Sequence, residues 1–225
     1  MHEEYLRPTE FIDSESPAVQ SFAKEAVQGA RTDVEKAIKL YYAVRDGIYY
    51  DPYRIETTRE AFKASVILGK GYGYCVAKAI VLAAACRAQG IACRLHFADV
   101  RNHLTTERLK KIMQTDIFTY HGYNDLFLEG RWIKVTPTFN SSLCERFKVK
   151  SLDFDGLNDA VFHPFDMEGR RHMEYIADHG SFADVPYEKI IEVFTDFVDV
   201  AIAQASATEA GAFEREAEAE RKLKS

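Results

Sequence analysis

Cys75 closes the run Gly71-Tyr72-Gly73-Tyr74 and opens an apolar stretch, Val76 through Gln89, whose composition predicts a helix. A thiol at the first turn of a helix meets unpaired backbone N–H groups and the positive end of the macrodipole, and both favour thiolate over thiol. A thiolate so placed attacks carbonyl carbon, and the preceding glycines let the backbone approach a substrate closely. The competing reading is packing, because a free cysteine is usually a small buried hydrophobe. Cys86 and Cys93 fit that description. Cys86 follows Cys75 by eleven residues, so it shares a helix face about 16 Å along the axis, and no disulfide joins the two.

A cysteine nucleophile needs a base to take its proton and a third group to orient that base. His121 is the candidate. If Ile117 to Leu128 and Arg131 to Phe139 form a hairpin about Glu129-Gly130, His121 lies opposite Thr138 and diagonal to Thr136. Tyr123, Asp125, Phe127, Trp132 and Lys134 share that face, with Asp125 opposite Lys134 as an expected ion pair. Taken alone, a strand histidine is more often structural than catalytic.

The elements that must position these groups are legible to differing degrees. Ser16-Pro17 caps one helix, which ends before Gly29, and Thr32-x-x-Glu35 has the form of a capping box that opens a second. Val34, Ala37, Ile38, Tyr41 and Val44 make its apolar stripe, and Gly47 ends it. Thr57-x-x-Glu60 predicts a short helix running to Gly69. The helix opened by Cys75 is apolar nearly all round, so it should be central and buried. Gly90 stops it, and Ile91 to Ala98 alternates as a strand. A short helix is expected over Thr106 to Met113. After the hairpin, strands are expected near Phe147 to Phe154 and mostly irregular chain from there to 185. A last helix should begin near Pro186 and bury Ile190, Ile191, Phe194, Phe197, Val198 and Ile202. Residues 1–204 read as one domain, and 205–225 as a charged helical or disordered tail.

The glycine-rich approach to a helix-opening cysteine, then Arg87-Ala88-Gln89-Gly90-Ile91 leading to Arg94, then His121, Trp132 and Pro137-Thr138, resembles the transglutaminase-like superfamily. The resemblance covers roughly residues 32 to 140. It implies an α+β, papain-like core, with N-terminal helices and a central buried helix packed on an antiparallel sheet. It also implies a Cys, His and Asp triad. The segment from Asp155-Gly156 through Asp184-Val185-Pro186 resembles stand-alone bacterial members. At the family's aspartate position this chain has Thr136, whose hydroxyl can accept a hydrogen bond but carries no charge to stabilise imidazolium. Asn140 is the second candidate for orienting the ring, through its amide oxygen.

Tyr72 and Tyr74 flank the nucleophile as candidate oxyanion donors or subsite walls, and Trp132, Glu174 and Asp184 are candidate substrate contacts. The segment from Ala61 to Cys75 holds no Gln or Asn, so the oxyanion donor expected is the Cys75 backbone N–H. His96 reads as structural. His163, His172 and His179, with Asp166, Glu174 and Asp178, follow no tight ligand spacing, and no metal is expected. Four cysteines without a Cys-x-x-Cys pair fit a reducing compartment.

A net charge of -6 and a pI near 5.7 provide no electrostatic footprint for nucleic acid. With no apolar run of membrane-spanning length and no signal-peptide pattern, a soluble cytoplasmic protein is expected. The expected chemistry is cofactor-free hydrolysis of an amide or peptide bond through a Cys75 thioester. The alternative is a catalytically weakened relative that binds a peptide or small acyl ligand.

Overall fold

The computed structural model describes residues 2–103, 105–194 and 211–224. Helix α1 (Pro17–Ala26) starts where the Ser16 hydroxyl accepts the N–H of Val19. Helix α2 (Asp33–Gly47) has the complete capping box, Thr32 and Glu35 each accepting the other's backbone N–H. Thr58 rather than Thr57 caps the next segment, a 3-10 turn over Arg59–Phe62 that leads into α3 (Ala64–Lys70). Strand β1 (Tyr49–Tyr50) pairs in parallel with β2 (Tyr72–Gly73), which sets Tyr50 close to the start of α4 (Cys75–Ala88).

Helix α4 is buried from Cys75 through Arg87, with α1, α2 and α3 packed on it from one side and the sheet from the other. Its single buried lysine follows from a backbone need. Lys78 Nζ donates to the carbonyls of Arg45 and Ile48 at 2.8 and 2.7 Å, satisfying the end of α2, where helix carbonyls lack intrahelical partners. Arg87 acts similarly at the other end of α4, donating to the carbonyls of Arg7, Cys93 and Ala183.

The sheet has four antiparallel strands in the order β5-β4-β3-β6, comprising β3 (Cys93–Asn102), β4 (Ile117–Leu128), β5 (Arg131–Val135) and β6 (Met173–Phe182). Between β3 and β4 lies α5 (Glu107–Met113), capped by Thr106. The β4–β5 hairpin takes the expected register, with Asn124 opposite Val135 and Asp125 opposite Lys134. Glu129 and Gly130, both at positive φ, make the turn. Strand β5 stops at Val135, short of the expected Phe139, so His121 is not paired with Thr138 in the ladder; Ala160 bridges Lys134 and Thr136 there through two backbone hydrogen bonds.

The chain after 140 departs further from expectation. No strand forms over Phe147 to Phe154; α6 (Ser141–Phe147) is followed by chain outside the ladders. Strand β6 occupies a stretch expected to be irregular. It is a mostly exposed edge strand with register shifts and a glycine at positive φ, Gly180, so it lacks the apolar alternation that marks half-buried strands.

Helix α7 (187–194) follows Pro186 as expected and buries Ile190, while Phe197, Val198 and Ile202 lie outside the described residues. Helix α8 (Ala212–Lys224) is docked rather than solvated along the face carrying Phe213 and Ala217, one helical turn apart. Phe213 packs on Tyr50, Tyr53 and Phe147, and Glu214, Glu216 and Glu218 pair with Arg146 and Arg108. Residues 205–210 of the expected tail lie outside the described residues. Among the described residues no helix is long and apolar enough to cross a membrane.

Candidate active site

Cys75 is the first residue of α4, where backbone N–H groups have no helical acceptor. The helix presses its start directly onto β4. A Cβ built on Gly122 would stand 3.0 Å from Val76 Cα and 3.3 Å from the Phe97 ring, so any larger residue would push helix and strand apart from this close approach. The backbone N–H groups of Gly122, Val76 and Cys75 itself lie against the sulfur and favour its thiolate, but burial outweighs them and pushes the Cys75 thiol up to about 11. The depressed value expected from the helix terminus alone is therefore reversed by loss of solvent.

His121 sits on β4, immediately before Gly122, opposite Ala98 of β3. Its imidazole is 4 % exposed, packed on Phe162 at 5.0 Å between ring centres, and burial pushes it down to about 3. Thiol and imidazole are thus both neutral at pH 7. A bulge sets the ring's position on the strand. Two residues of β4, Thr119 and Tyr120, lie between the pairs that bracket the single residue Asp99 of β3, and Tyr120 takes φ +55°, which an aromatic residue rarely adopts. The Asp99 carboxylate accepts the Tyr120 N–H at 3.1 Å and bonds His179 Nε2 at 2.7 Å, and the His179 ring stacks on Tyr120 at 4.3 Å.

At the third position the structure provides no charge. The His121 Nε2 and the Thr138 hydroxyl are fully buried and without hydrogen-bond partners, and the Thr136 hydroxyl, equally buried, has the Tyr175 hydroxyl as its neighbour. Asn140 has its side chain engaged elsewhere, accepting the Tyr50 N–H at 2.7 Å and donating to the carbonyls of Arg45 and Ile48. Asn140 and Lys78 therefore share the task of satisfying the end of α2.

Cys75 and His121 line one cavity of about 270 Å³, walled by Tyr50 and Tyr74, by α5, by the start of β4 and by α7. Tyr74 presents a buried hydroxyl without a partner. The other sequence-predicted contacts are placed elsewhere. Tyr72 faces a separate hollow, its ring under the Arg54 guanidinium at 3.5 Å. Trp132 packs with His2, Tyr5, Phe127 and Arg94 at the hairpin end. Glu174 pairs with Arg101, and Asp184 accepts the N–H of Val185.

Asp125 is buried against Arg94, His96 and Lys134, and His96 bridges it to Asp178, as its structural reading anticipated. Asp166 pairs with Arg170, and His172 is enclosed by Phe139 and Phe162. Among the described residues no group of three or more His, Cys, Asp or Glu side chains is arranged to hold a metal ion. Sequence reasoning missed Asp99, Tyr120, Gly122 and the walls supplied by α5 and α7. The glycine directly after a strand histidine was the one available signal, since glycine inside a strand marks a close approach.

No curated protein matches the chain. A solved structure of a candidate cysteine protease from Cytophaga hutchinsonii is 16% identical with a TM-score of 0.46, covering 79% of this chain and 52% of that one. A second, of a candidate protease from Parabacteroides distasonis, is also 16% identical with a TM-score of 0.38, covering 52% of this chain and 22% of the other. The chain thus spans about half and about a fifth of these two neighbours. The model of the transglutaminase-like superfamily matches residues 20–137, more than half the sequence and the span that carries Cys75, His121 and Thr136, so the chain belongs to the transglutaminase-like superfamily.

Proposed function

We propose that the protein is a cysteine-nucleophile acyl-transfer enzyme that hydrolyses an amide or peptide bond. The observation that carries this reading is the shared cavity of Cys75 and His121, with the sulfur against the N–H of Gly122. In the neutral resting pair, His121 takes the thiol proton as Sγ attacks the substrate carbonyl. A Sγ–C bond forms and the carbonyl electrons move onto oxygen, next to the N–H groups at the start of α4. Collapse breaks the C–N bond, and the imidazolium returns its proton to the departing amine. Water, deprotonated by His121, then cleaves the thioester to release the acid and restore the thiol. Thr136 serves as the neutral third member, its hydroxyl accepting from His121 Nε2 once the ring carries charge.

The unpartnered Nε2 favours a second reading, a weakened relative that uses the same cavity to bind a peptide or small acyl ligand. Screening of amide, peptide and ester substrates with wild type and Cys75→Ala decides between them. Cys75-dependent turnover supports the enzyme. Saturable binding, undiminished in Cys75→Ala and without turnover, supports the binder.

A further inference from the structure

The wall of the Cys75 cavity has a chemical character that the catalytic reading does not require. Its lining includes Ile55, together with Leu109, Ile112 and Met113 of α5 and Ile190 and Val193 of α7. Among the described residues no Asp, Glu, Lys or Arg lines the cavity, and the polar groups there are the thiol, the imidazole and a few hydroxyls. A charged substituent entering here would lose its hydration without gaining a partner. An apolar one would gain by leaving water, and the gain grows with each buried methylene. The size narrows the occupant further. A cavity of about 150 Å³ accepts one benzene ring, so the 270 Å³ here suits a single aromatic or branched side chain, or a short acyl chain.

We propose that this cavity is the acyl-group subsite, and that it selects substrates whose scissile carbonyl carries an uncharged, apolar group of about one side chain in size. This rests on the reading of Cys75 as nucleophile, because the thiol at the cavity wall attacks the carbonyl to which the enclosed group is attached. Helix α5, the insert between β3 and β4, supplies Leu109, Ile112 and Met113 to the wall, so part of the selectivity belongs to an element outside the helix and strand that carry the dyad.

The test is the burst of 4-nitrophenolate released by the full chain from 4-nitrophenyl acetate, butyrate, hexanoate and hemisuccinate, with Cys75→Ala as background. Cys75-dependent acylation should accelerate about fourfold per methylene from acetate to hexanoate, and hemisuccinate should be at least about tenfold slower than butyrate. Ile112→Asp should flatten the series. Ile112→Ala, a milder change whose folding is checked by circular dichroism, should reduce the dependence in the same direction. Cys75-dependent acylation that ignores chain length, or that favours hemisuccinate, overturns the subsite and leaves the nucleophile standing. Release equal to Cys75→Ala with every ester overturns the nucleophile and the subsite together, a pattern distinct from the first.

Discussion

The carboxylate of Asp99 accepts the backbone N–H of Tyr120 at 3.1 Å, and Tyr120, held at φ +55°, is the residue immediately before His121. Side chains alternate faces along a strand, so the extra residue in this bulge decides which way the imidazole points. Asp99→Ala should therefore lower turnover by roughly 10²-fold, the scale of a catalytic group displaced by about 1 Å. Tyr120→Gly in that background should restore part of the loss, because glycine enters the left-handed region freely. Steady-state kinetics of the single and double variants check this, and no rescue would show that Asp99 acts by another route.

Gly122→Ala should separate α4 from β4, since the added methyl meets Val76 Cα at 3.0 Å. Overpacking of this kind costs about 1–3 kcal/mol, and the shift also takes the Cys75 sulfur away from the Gly122 N–H. Denaturant melts and kinetics should show both losses, with activity falling more than stability explains.

Burial holds the Cys75 thiol near 11 and His121 near 3, so no thiolate–imidazolium pair is present at neutral pH. Alkylation of Cys75 by iodoacetamide in the unliganded protein should therefore rise about tenfold per pH unit from pH 7 towards 10, following the thiolate fraction. A plateau below pH 7, read by mass spectrometry after timed quenching, would demonstrate a preformed ion pair and contradict this assignment.

His121 and His172 are both pushed down by burial, to about 3 and about 4. Each takes up its proton more readily when unfolded, so the stability they contribute is present above the ordinary histidine value and is lost as pH falls towards their folded values. The melting temperature should drop between about pH 6.5 and pH 4. His172→Phe should flatten that slope, and a slope equal to wild type would remove His172 from the account.

Thr136 and Asn140 separate cleanly by experiment. Asn140→Ala leaves the Tyr50 N–H unpaired and removes donors to two carbonyls, a loss of about 1–3 kcal/mol for a buried group left unsatisfied. Its pH–rate profile should remain that of wild type. Thr136→Val keeps the side-chain volume and removes a hydroxyl whose neighbour is the Tyr175 hydroxyl, so stability should change little. Turnover should nevertheless fall about tenfold or more if Thr136 supports the imidazolium. Unchanged turnover in Thr136→Val would remove it from the mechanism.

The sequence by itself determined the Thr32–Glu35 capping box, the buried helix, the hairpin register and the dyad candidates, because each follows from local periodicity or from residue chemistry at short range. Thr32 and Glu35, the apolar run after Cys75 and the Glu129-Gly130 turn all act within a few residues of themselves. Tertiary structure decided the rest. The pKa of Cys75 depends on how completely its site is buried, and the anchoring of Tyr120 depends on Asp99 and His179, twenty-one and fifty-nine residues away in the chain. Asn140 lies near the site in sequence yet serves the end of α2, and Trp132, on the expected face of the hairpin, ends in an aromatic cluster away from the cavity. Strand β6 owes its existence to pairing with β3, and α8 owes its docking to Phe213 finding Tyr50 and Tyr53. Such contacts join residues far apart in sequence, and no local pattern encodes which partner each will meet.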